Sequence, residues 1–232
     1  MIKRYTLISC FLLASLFACQ TEQNFVLPLQ GTLNTSSPLS KLLMRVSQHP
    51  TALDNVIDST SCFSVALPVS LMVNDQQVIV LSEAGYETVA YIMNQSDSDT
   101  DNVNFVFPIT VVFKDSEALP VTSQVQLDTI MDNCGAETEA EIRCIDINYP
   151  ITFNTYDSDN QIADVVVIAN DQQLYGFLDM AGLDFIMSVV YPVSLTRADG
   201  QEVIVDSNIA FEEAIESAIG SCLNTPGGSR LQ

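Results

Sequence analysis

The chain of 232 residues contains no tryptophan, one histidine and only 8 lysine and arginine residues. Against 29 Asp and Glu, this leaves a formal net charge of −21. Nucleic acids and anionic lipid surfaces are disfavoured as partners, because the charge excess has the wrong sign. One histidine leaves little material for imidazole metal sites, and the lack of tryptophan removes the usual platform for sugar stacking. Apolar residues still make up 47% of the chain, which favours a folded protein over a disordered one.

The N-terminus has the layout of an export signal. Lys3 and Arg4 precede an apolar run of 13 residues, from Tyr5 to Phe17, which is too short to cross a bilayer of about 30 Å as a helix. The run ends in Leu16-Phe17-Ala18-Cys19, which resembles the lipobox of bacterial lipoproteins. The resemblance implies that residues 1–18 are a signal peptide and that Cys19 is acylated by palmitate-type chains. Gln20 rather than Asp follows, which implies sorting to the outer membrane. A plain signal peptide with an ordinary thiol at Cys19 is the alternative.

We interpret residues 19–60 as a tether followed by a segment that leads into the first domain, and we call this segment the lead-in. Residues 30–40 are rich in Gly, Ser, Thr, Asn and Pro, a composition typical of flexible linkers. Within the lead-in, Ser40–Val46 predicts one or two helical turns that pack onto the first domain. Lys41 and Arg45 are too few basic residues to bind a lipid surface.

Four copies of one unit follow the lead-in. Each copy carries a hydrophobic residue, a proline, a β-branched aliphatic and a hydroxyl residue, and the four prolines are spaced by 40, 42 and 42 residues. An aspartate follows each proline seven residues later. This self-similarity predicts a repeat protein. The prolines are Pro68, Pro108, Pro150 and Pro192, and the acids are Asp75, Asp115, Asp157 and Asp199.

Each unit has the pattern strand, turn, strand, helix. Apolar residues alternate with other residues on both sides of each proline, as in Phe63 to Leu71. This pattern predicts one continuous strand with one solvent-exposed face. The recurrent aspartate should bond backbone N–H groups in a turn, and Asp199-Gly200 predicts a two-residue hairpin turn. Helix-start signals come after a second strand; they are Ser82, Ser123, Asn170-Asp171 and Asp206-Ser207. One ββα unit cannot bury its own apolar face, so units must pair.

The cysteines predict how the units pair. Four cysteines remain after export, and they can form two disulfide bonds in three different pairings. Cys62 and Cys144 occupy equivalent positions before their prolines, and Cys134 and Cys222 both close helices. Equivalent positions imply equivalent bonds, so we predict Cys62–Cys134 and Cys144–Cys222. Free buried thiols are the alternative, and a zinc site is disfavoured because the cysteines lack close pairing and a histidine.

These bonds define an α+β fold of two tandem ββαββα domains. Residues 61–135 form the first domain and residues 143–223 the second, with a joint between them and a loose tail at 224–232. Each domain is expected to hold an antiparallel four-stranded sheet in the order 1-2-4-3, with two helices on one face and the prolines on the outer strands. A disulfide staples each domain.

No reactive constellation stands out, so we expect no enzyme. His49 lies in a Gln-His-Pro segment of the lead-in and reads as a solvated loop residue. Calcium is the one cofactor to weigh: Asp97, Asp99 and Asp101 resemble the start of an EF-hand loop. The resemblance then fails, because the position of the bidentate glutamate is Pro108. A weak calcium site is the most that this pattern indicates.

The hydroxyl residues of the four units form a candidate binding surface on the polar side of the strands. These are Ser70, Thr110, Thr152 and Ser194, although hydroxyls also suit any solvent-facing strand. Tandem ββα units behind a lipobox resemble the repeat-bearing lipoproteins of Bacteroidetes-type bacteria, a family of unknown function. The resemblance implies placement in the cell envelope. We therefore expect a membrane-anchored, non-catalytic lipoprotein that binds a protein or ligand. The alternatives are a calcium-dependent adhesion module and, more distantly, a carboxylate-based hydrolase.

Overall fold

The protein is described by a computed structural model covering residues 31–95, 100–134, 140–157 and 161–222, except the side chain of Cys222. Cys19, Asp97, Asp99 and residues 223–232 lie outside this part, as does the predicted signal peptide. Within the described ranges, no helix has both the length and the apolarity to cross a membrane.

The structure is a mixed α/β fold with small antiparallel sheets. Six α-helices are described, and a short 3₁₀ turn at Glu83–Gly85 precedes the third. The helices are α1 (Pro38–Ser47), α2 (Asn55–Asp58), α3 (Tyr86–Met93), α4 (Gln124–Asp132), α5 (Asp171–Met180) and α6 (Asn208–Cys222). The strands are β1 (Phe63–Val65), β2 (Val69–Val73), β3 (Gln76–Val80), β4 (Val103–Phe105), β5 (Ile109–Phe113), β6 (Ala118–Val121), β7 (Ile145–Ile147), β8 (Ile151–Tyr156), β9 (Ile162–Ile168), β10 (Ile186–Val190), β11 (Val193–Arg197) and β12 (Glu202–Val205).

Each unit begins with two strands rather than one. The predicted continuous strand is interrupted at the repeat proline, as between β1 and β2 at Pro68, and all four X-Pro bonds are cis. Proline has no N–H to donate to a strand ladder, and at the four repeat positions the ladder stops on either side of it. The prediction of one unbroken strand was wrong, although its alternation correctly marks the inward residues Phe63, Val69 and Leu71, which are buried.

The units pair by exchanging their first strands. β1 of the first unit pairs with β5 of the second, and β4 of the second pairs with β2 of the first. The third and fourth units repeat the exchange, through β7 with β11 and β10 with β8. The result is four three-stranded antiparallel sheets, in the orders β1-β5-β6, β3-β2-β4, β12-β11-β7 and β10-β8-β9. The prediction of four-stranded sheets in the order 1-2-4-3 was therefore wrong, because the break at the proline frees each first strand to join the neighbouring unit.

Two hydrophobic clusters fill the interior. The N-terminal cluster draws its buried residues from Ile57 to Leu127, with Phe63, Leu71 and Val111 fully buried. The C-terminal cluster draws on residues 142–218 and includes the fully buried Phe153, Leu195 and Phe211.

The lead-in belongs to the C-terminal cluster. Leu39 and Leu43 of α1 are buried there, and α1 contacts α5 and α6. Leu33 exchanges two backbone hydrogen bonds with Met187, of 2.7 and 2.9 Å, at the outer edge of β10. The expectation that α1 packs onto the first domain was wrong. It rested on sequence order, because α1 precedes the first unit, whereas the apolar residues of α1 pack in the C-terminal cluster.

Most of the local signals act as predicted. The carboxylates of Asp115, Asp157 and Asp199 accept backbone N–H groups of their own turns at 2.8–2.9 Å. Ser123 and Asn170 cap α4 and α5 by accepting the N–H three residues ahead. The Asp199 turn has three residues, 198–200, rather than two, and Gly200 supplies its positive φ of 82°.

The predicted Cys62–Cys134 disulfide is present and ties the residue before β1 to the residue after α4. It closes a sequence separation of 72 residues with a Cα–Cα distance of 5.9 Å. Cys144 is also disulfide-bonded. The side chain of its predicted partner, Cys222, lies outside the described part, so that pairing stays a prediction.

Candidate functional site

The repeated hydroxyl residues lie on the outer faces of the four sheets. Each occupies the central strand of its sheet, is half-buried, and alternates with inward-facing apolar neighbours such as Val69 and Leu71. Directly opposed residues in an antiparallel pair share one face of the sheet. The opposed pairs on the neighbouring edge strands are Ser70–Ile79, Thr110–Pro120, Thr152–Val167 and Ser194–Ile204.

Three of these partners are exposed aliphatic side chains, which the sequence analysis did not include in the surface. Ile79, Val167 and Ile204 are 59%, 60% and 70% exposed. The outer faces therefore combine a hydroxyl group with an adjacent exposed aliphatic group, rather than presenting hydroxyls alone. A period-2 pattern marks the outward positions, but it assigns apolar residues there to the interior, so sequence reasoning missed them.

The sheet of the third unit, β10-β8-β9, which we call the third sheet, carries four exposed aliphatic residues on its outer face. Ile162, Val165, Val167 and Val190 are each between 41% and 60% exposed. Val167 and Val190 lie opposite Thr152, Val165 is one outward position further along β9, and Ile162 lies further along the same face, opposite Tyr156. We call Thr152 and these four aliphatic residues the third-sheet face. Clustered exposed aliphatic side chains mark interaction surfaces more often than singly scattered ones.

The edge of this sheet is less open than its face. The N–H of Val165 donates to the carboxylate of the preceding Asp164 at 2.8 Å, so this backbone donor is already satisfied. On the other side, the β10 edge is covered by Leu33. Backbone groups of each edge are therefore already engaged, whereas the aliphatic side chains of the face are exposed.

In the sheet of the fourth unit, β12-β11-β7, the repeated hydroxyl group is already hydrogen-bonded to neighbouring side chains. Ser194 Oγ donates to Glu202 Oε1 at 2.5 Å and accepts from Asn148 Nδ2 at 2.7 Å. Asn148 Oδ1 in turn accepts from Thr196 Oγ1 at 2.9 Å. Thr152 makes no side-chain hydrogen bond within the described residues, so its hydroxyl group differs from that of Ser194.

The calcium hypothesis gains no support from the residues that are described. Asp101 is exposed, and its Oδ1 accepts a hydrogen bond from Asn74 Nδ2 at 2.9 Å, which connects it to the β2–β3 turn. Asp97 and Asp99 lie outside the described part. Within that part, no group of three or more His, Cys, Asp or Glu side chains has a metal-binding arrangement.

A second candidate site is a half-open cavity of about 250 Å³ in the N-terminal half. The lead-in enters it through His49 and Asp54, β1 contributes Ser64, and the turn before α3 contributes Glu83. Apolar walls complete it, formed by Pro50, Leu53, Leu67 and Val112. We call this the lead-in cavity.

Two buried carboxyl groups dominate the electrostatics around the cavity. Asp54 has no exposed surface; its Oδ2 accepts the N–H of Val65 at 2.6 Å, and its Oδ1 has no hydrogen-bond partner. Burial raises the pKa of Asp54 to about 6, against the opposing effect of the Val65 hydrogen bond. Asp58, one helical turn further along, has its pKa raised to about 8 by burial and by the neighbouring Asp54 charge. At neutral pH, Asp54 is largely ionised and Asp58 is protonated.

His49 is half-buried and hydrogen-bonded rather than a solvated loop residue, so that interpretation was wrong. Its Nε2 lies 2.9 Å from Ser64 Oγ, and its backbone N–H donates to the carbonyl of Lys114. Burial lowers the pKa of His49, so the ring is neutral at pH 7. A nucleophile triad needs a third group to orient the histidine. Within the described part of the chain, no carboxylate is hydrogen-bonded to the His49 ring. His49 and Ser64 therefore form a hydrogen-bonded pair that lacks the third group of a triad.

Sequence reasoning missed Asp54 and Asp58 altogether. They are spaced four apart in Leu53–Asp58, and that spacing places both carboxyl groups on one side of a short helix. The signal is too common among 29 acids to single out a site. Their burial depends on the lead-in folding back along β1, which no local pattern encodes.

The chain matches no family model, no curated protein and no solved structure, so the proposed function rests on this geometry.

Proposed function

We propose that the protein is a non-catalytic lipoprotein of the cell envelope that binds a partner protein through the third-sheet face. Cys19 is its lipid anchor, and the outer membrane is its location. The described residues are the part that meets the partner.

The observation that carries the proposal is the cluster of exposed aliphatic residues around Thr152. Val165 and Val167 project from the same face at adjacent outward positions of β9, and Val190 flanks Thr152 on the other side. Burying the remaining exposed part of one such side chain in an interface contributes about 1 kcal/mol, and the three together are enough to anchor a small contact.

Charge complementarity defines the partner further. The chain carries a net charge of −21, and Asp164 lies at the rim of the face. Two copies of this chain repel one another, whereas a partner with an apolar patch and basic surroundings is attracted. We therefore propose a basic-rimmed envelope protein rather than a second copy of this chain.

The proposal includes two tandem domains behind the anchor. The two hydrophobic clusters support it, since each is assembled from one pair of strand-exchanging units. The second domain then includes residues 31–48 in addition to 143–223, because the lead-in helix contributes Leu39 and Leu43 to that cluster.

The test uses the full-length protein in its host envelope. The double variant Val165→Thr and Val167→Thr keeps β-branched residues in β9 while replacing two methyl groups with hydroxyl groups. Partner recovery after mild crosslinking and affinity purification should fall at least tenfold, and it should fall again in high salt because basic rim contacts are screened.

The matched control is Val125→Thr, which changes a 75% exposed valine on α4, outside the third-sheet face. This variant should recover the partner at the wild-type level. Equal recovery by all three proteins would refute the assigned surface. Separately, Cys19→Ala should abolish palmitate labelling and release the protein from the membrane fraction, and membrane retention without labelling would refute the anchor.

A further inference from the structure

We propose that the lead-in cavity is a binding site for an organic ammonium cation. The proposed protein-binding function does not use this cavity, and the third-sheet face shares no residue with it.

The geometry starts from Asp54. It lines the cavity and has no exposed surface, and one of its two carboxylate oxygens, Oδ1, lacks any hydrogen-bond partner. A buried carboxylate oxygen without a partner is unfavourable, so native structures normally pair it. A ligand that donates a charged N–H to this oxygen would remove that cost and form a charge-assisted hydrogen bond.

The remaining polar groups of the cavity favour a cation over an anion. Glu83 adds a second carboxylate to the lining, and the neutral His49 ring adds no positive charge. The nearby cation, Arg143, lies 3.7 Å from Glu83, is partly exposed, and is not among the lining residues. Glu141 also contributes negative potential at Asp54, which disfavours an anionic ligand further.

The walls favour an organic cation over a metal ion. Leu53, Leu67 and Val112 supply apolar surface, and the Tyr86 side chain completes the lining with an aromatic ring, a group that attracts ammonium ions. Within the described ranges, no three carboxylate, imidazole or thiol groups are arranged to coordinate a metal. A cavity of about 250 Å³ accommodates a compact amine rather than a drug-sized molecule.

An ammonium group can come from a free amine or from a lysine side chain of a polypeptide. Both present the same charged donor on an apolar stem, so the experiment includes one probe for each source. Benzylammonium represents the free amine, and Nα-acetyl-lysinamide represents the side chain.

The experiment is a titration at neutral pH followed by NMR of the wild-type protein, with benzyl alcohol and benzoate as neutral and anionic counterparts of benzylammonium. Nα-acetyl-lysinamide is paired with its Nζ-acetylated form. At least one ammonium probe should shift the resonances of His49, Ser64 and Tyr86 saturably in the millimolar range. Its uncharged or anionic counterpart should bind at least tenfold more weakly.

The variant Asp54→Asn is nearly isosteric and removes the charge. It should weaken binding of the ammonium probe at least tenfold, whereas Asp75→Asn, which makes the same charge change in the exposed β2–β3 turn, should leave it unchanged. The comparison of probes on the wild-type protein does not depend on either variant folding. Equal binding by benzyl alcohol, saturable shifts with calcium alone, or no shift with either ammonium probe would overturn the proposal.

Discussion

Replacing Asp58 with asparagine should make the protein more stable at neutral pH. Asp58 is 6% exposed, its Oδ1 accepts the N–H of Thr60 at 3.2 Å, and its Oδ2 has no hydrogen-bond partner. Burial and the Asp54 charge raise its pKa from 3.8 to about 8. The native state therefore holds a proton that the unfolded chain releases, and folding has to recover that proton from solvent.

The sign follows from the proton balance. Below the unfolded value of 3.8, both states are protonated and the titration of Asp58 has no effect on stability. Between that value and about 8, the native state binds more protons, so the free energy of unfolding falls by about 1.4 kcal/mol for each pH unit. At neutral pH the loss relative to a permanently neutral side chain is about 4 kcal/mol.

Asparagine resembles the protonated acid but buries one additional N–H, which costs about 1–2 kcal/mol. Asp58→Asn should therefore raise the free energy of unfolding by about 2 kcal/mol at neutral pH. Because only the wild-type protein carries the titrating Asp58, the difference should widen by about 4 kcal/mol between about pH 5 and about pH 8.

Urea unfolding followed by circular dichroism at several pH values measures this difference, provided that the denaturant slope is unchanged. Asp75→Asn, the same substitution at an exposed turn, corrects for the altered net charge. A variant that is less stable than wild type at neutral pH, or a difference that does not depend on pH, would show that Asp58 is not held protonated in the native state.

Two further predictions concern the supports of the two clusters. Leu43→Ala removes a fully buried side chain of α1 and should destabilise the C-terminal cluster by about 2–5 kcal/mol. Hydrogen exchange should accelerate in α5 and α6 but not in β2 or β5, with the exposed Lys41→Ala on the same helix as control; acceleration confined to the N-terminal cluster would contradict the packing of α1. The double variant Cys62→Ala and Cys134→Ala opens a sequence separation of 72 residues and should cost about 4 kcal/mol in urea unfolding. Wild-type protein in reductant should lose at least as much, because the bond of Cys144 is reduced as well. An unchanged midpoint in the double variant would mean that the Cys62–Cys134 disulfide contributes nothing to stability.

The repeat was predictable because its signals are local. Proline, aspartate and capping residues act within a few positions of themselves, and so the turn at Asp115 and the Ser123 cap follow from spacing alone. The Cys62–Cys134 bond was predicted from the equivalent positions of the cysteines in the repeat. The partner of each strand was not predictable in this way. A strand broken at Pro68 can pair with its own unit or with the neighbouring one, and the alternation of Phe63 and Val65 is the same in both cases.

The same distinction between local signals and long-range contacts applies to the candidate sites. Ser70 and Thr152 were placed on an outer face by period-2 alternation, and the structure places them there. The lead-in cavity depends on the chain around His49 returning along β1, and its key residue, Asp54, is buried by contacts far apart in sequence. Long-range contacts of this kind leave no trace in composition or spacing.

The exchange of first strands has a consequence for how such a chain can lengthen or shorten. A single unit of three strands and a helix, gained by duplication, would bring a first strand with no partner to join, and its own central strand would lack a neighbour. Two units gained together satisfy each other completely. Growth by whole pairs is therefore the physically accessible route, and relatives built from this unit should carry even numbers of it.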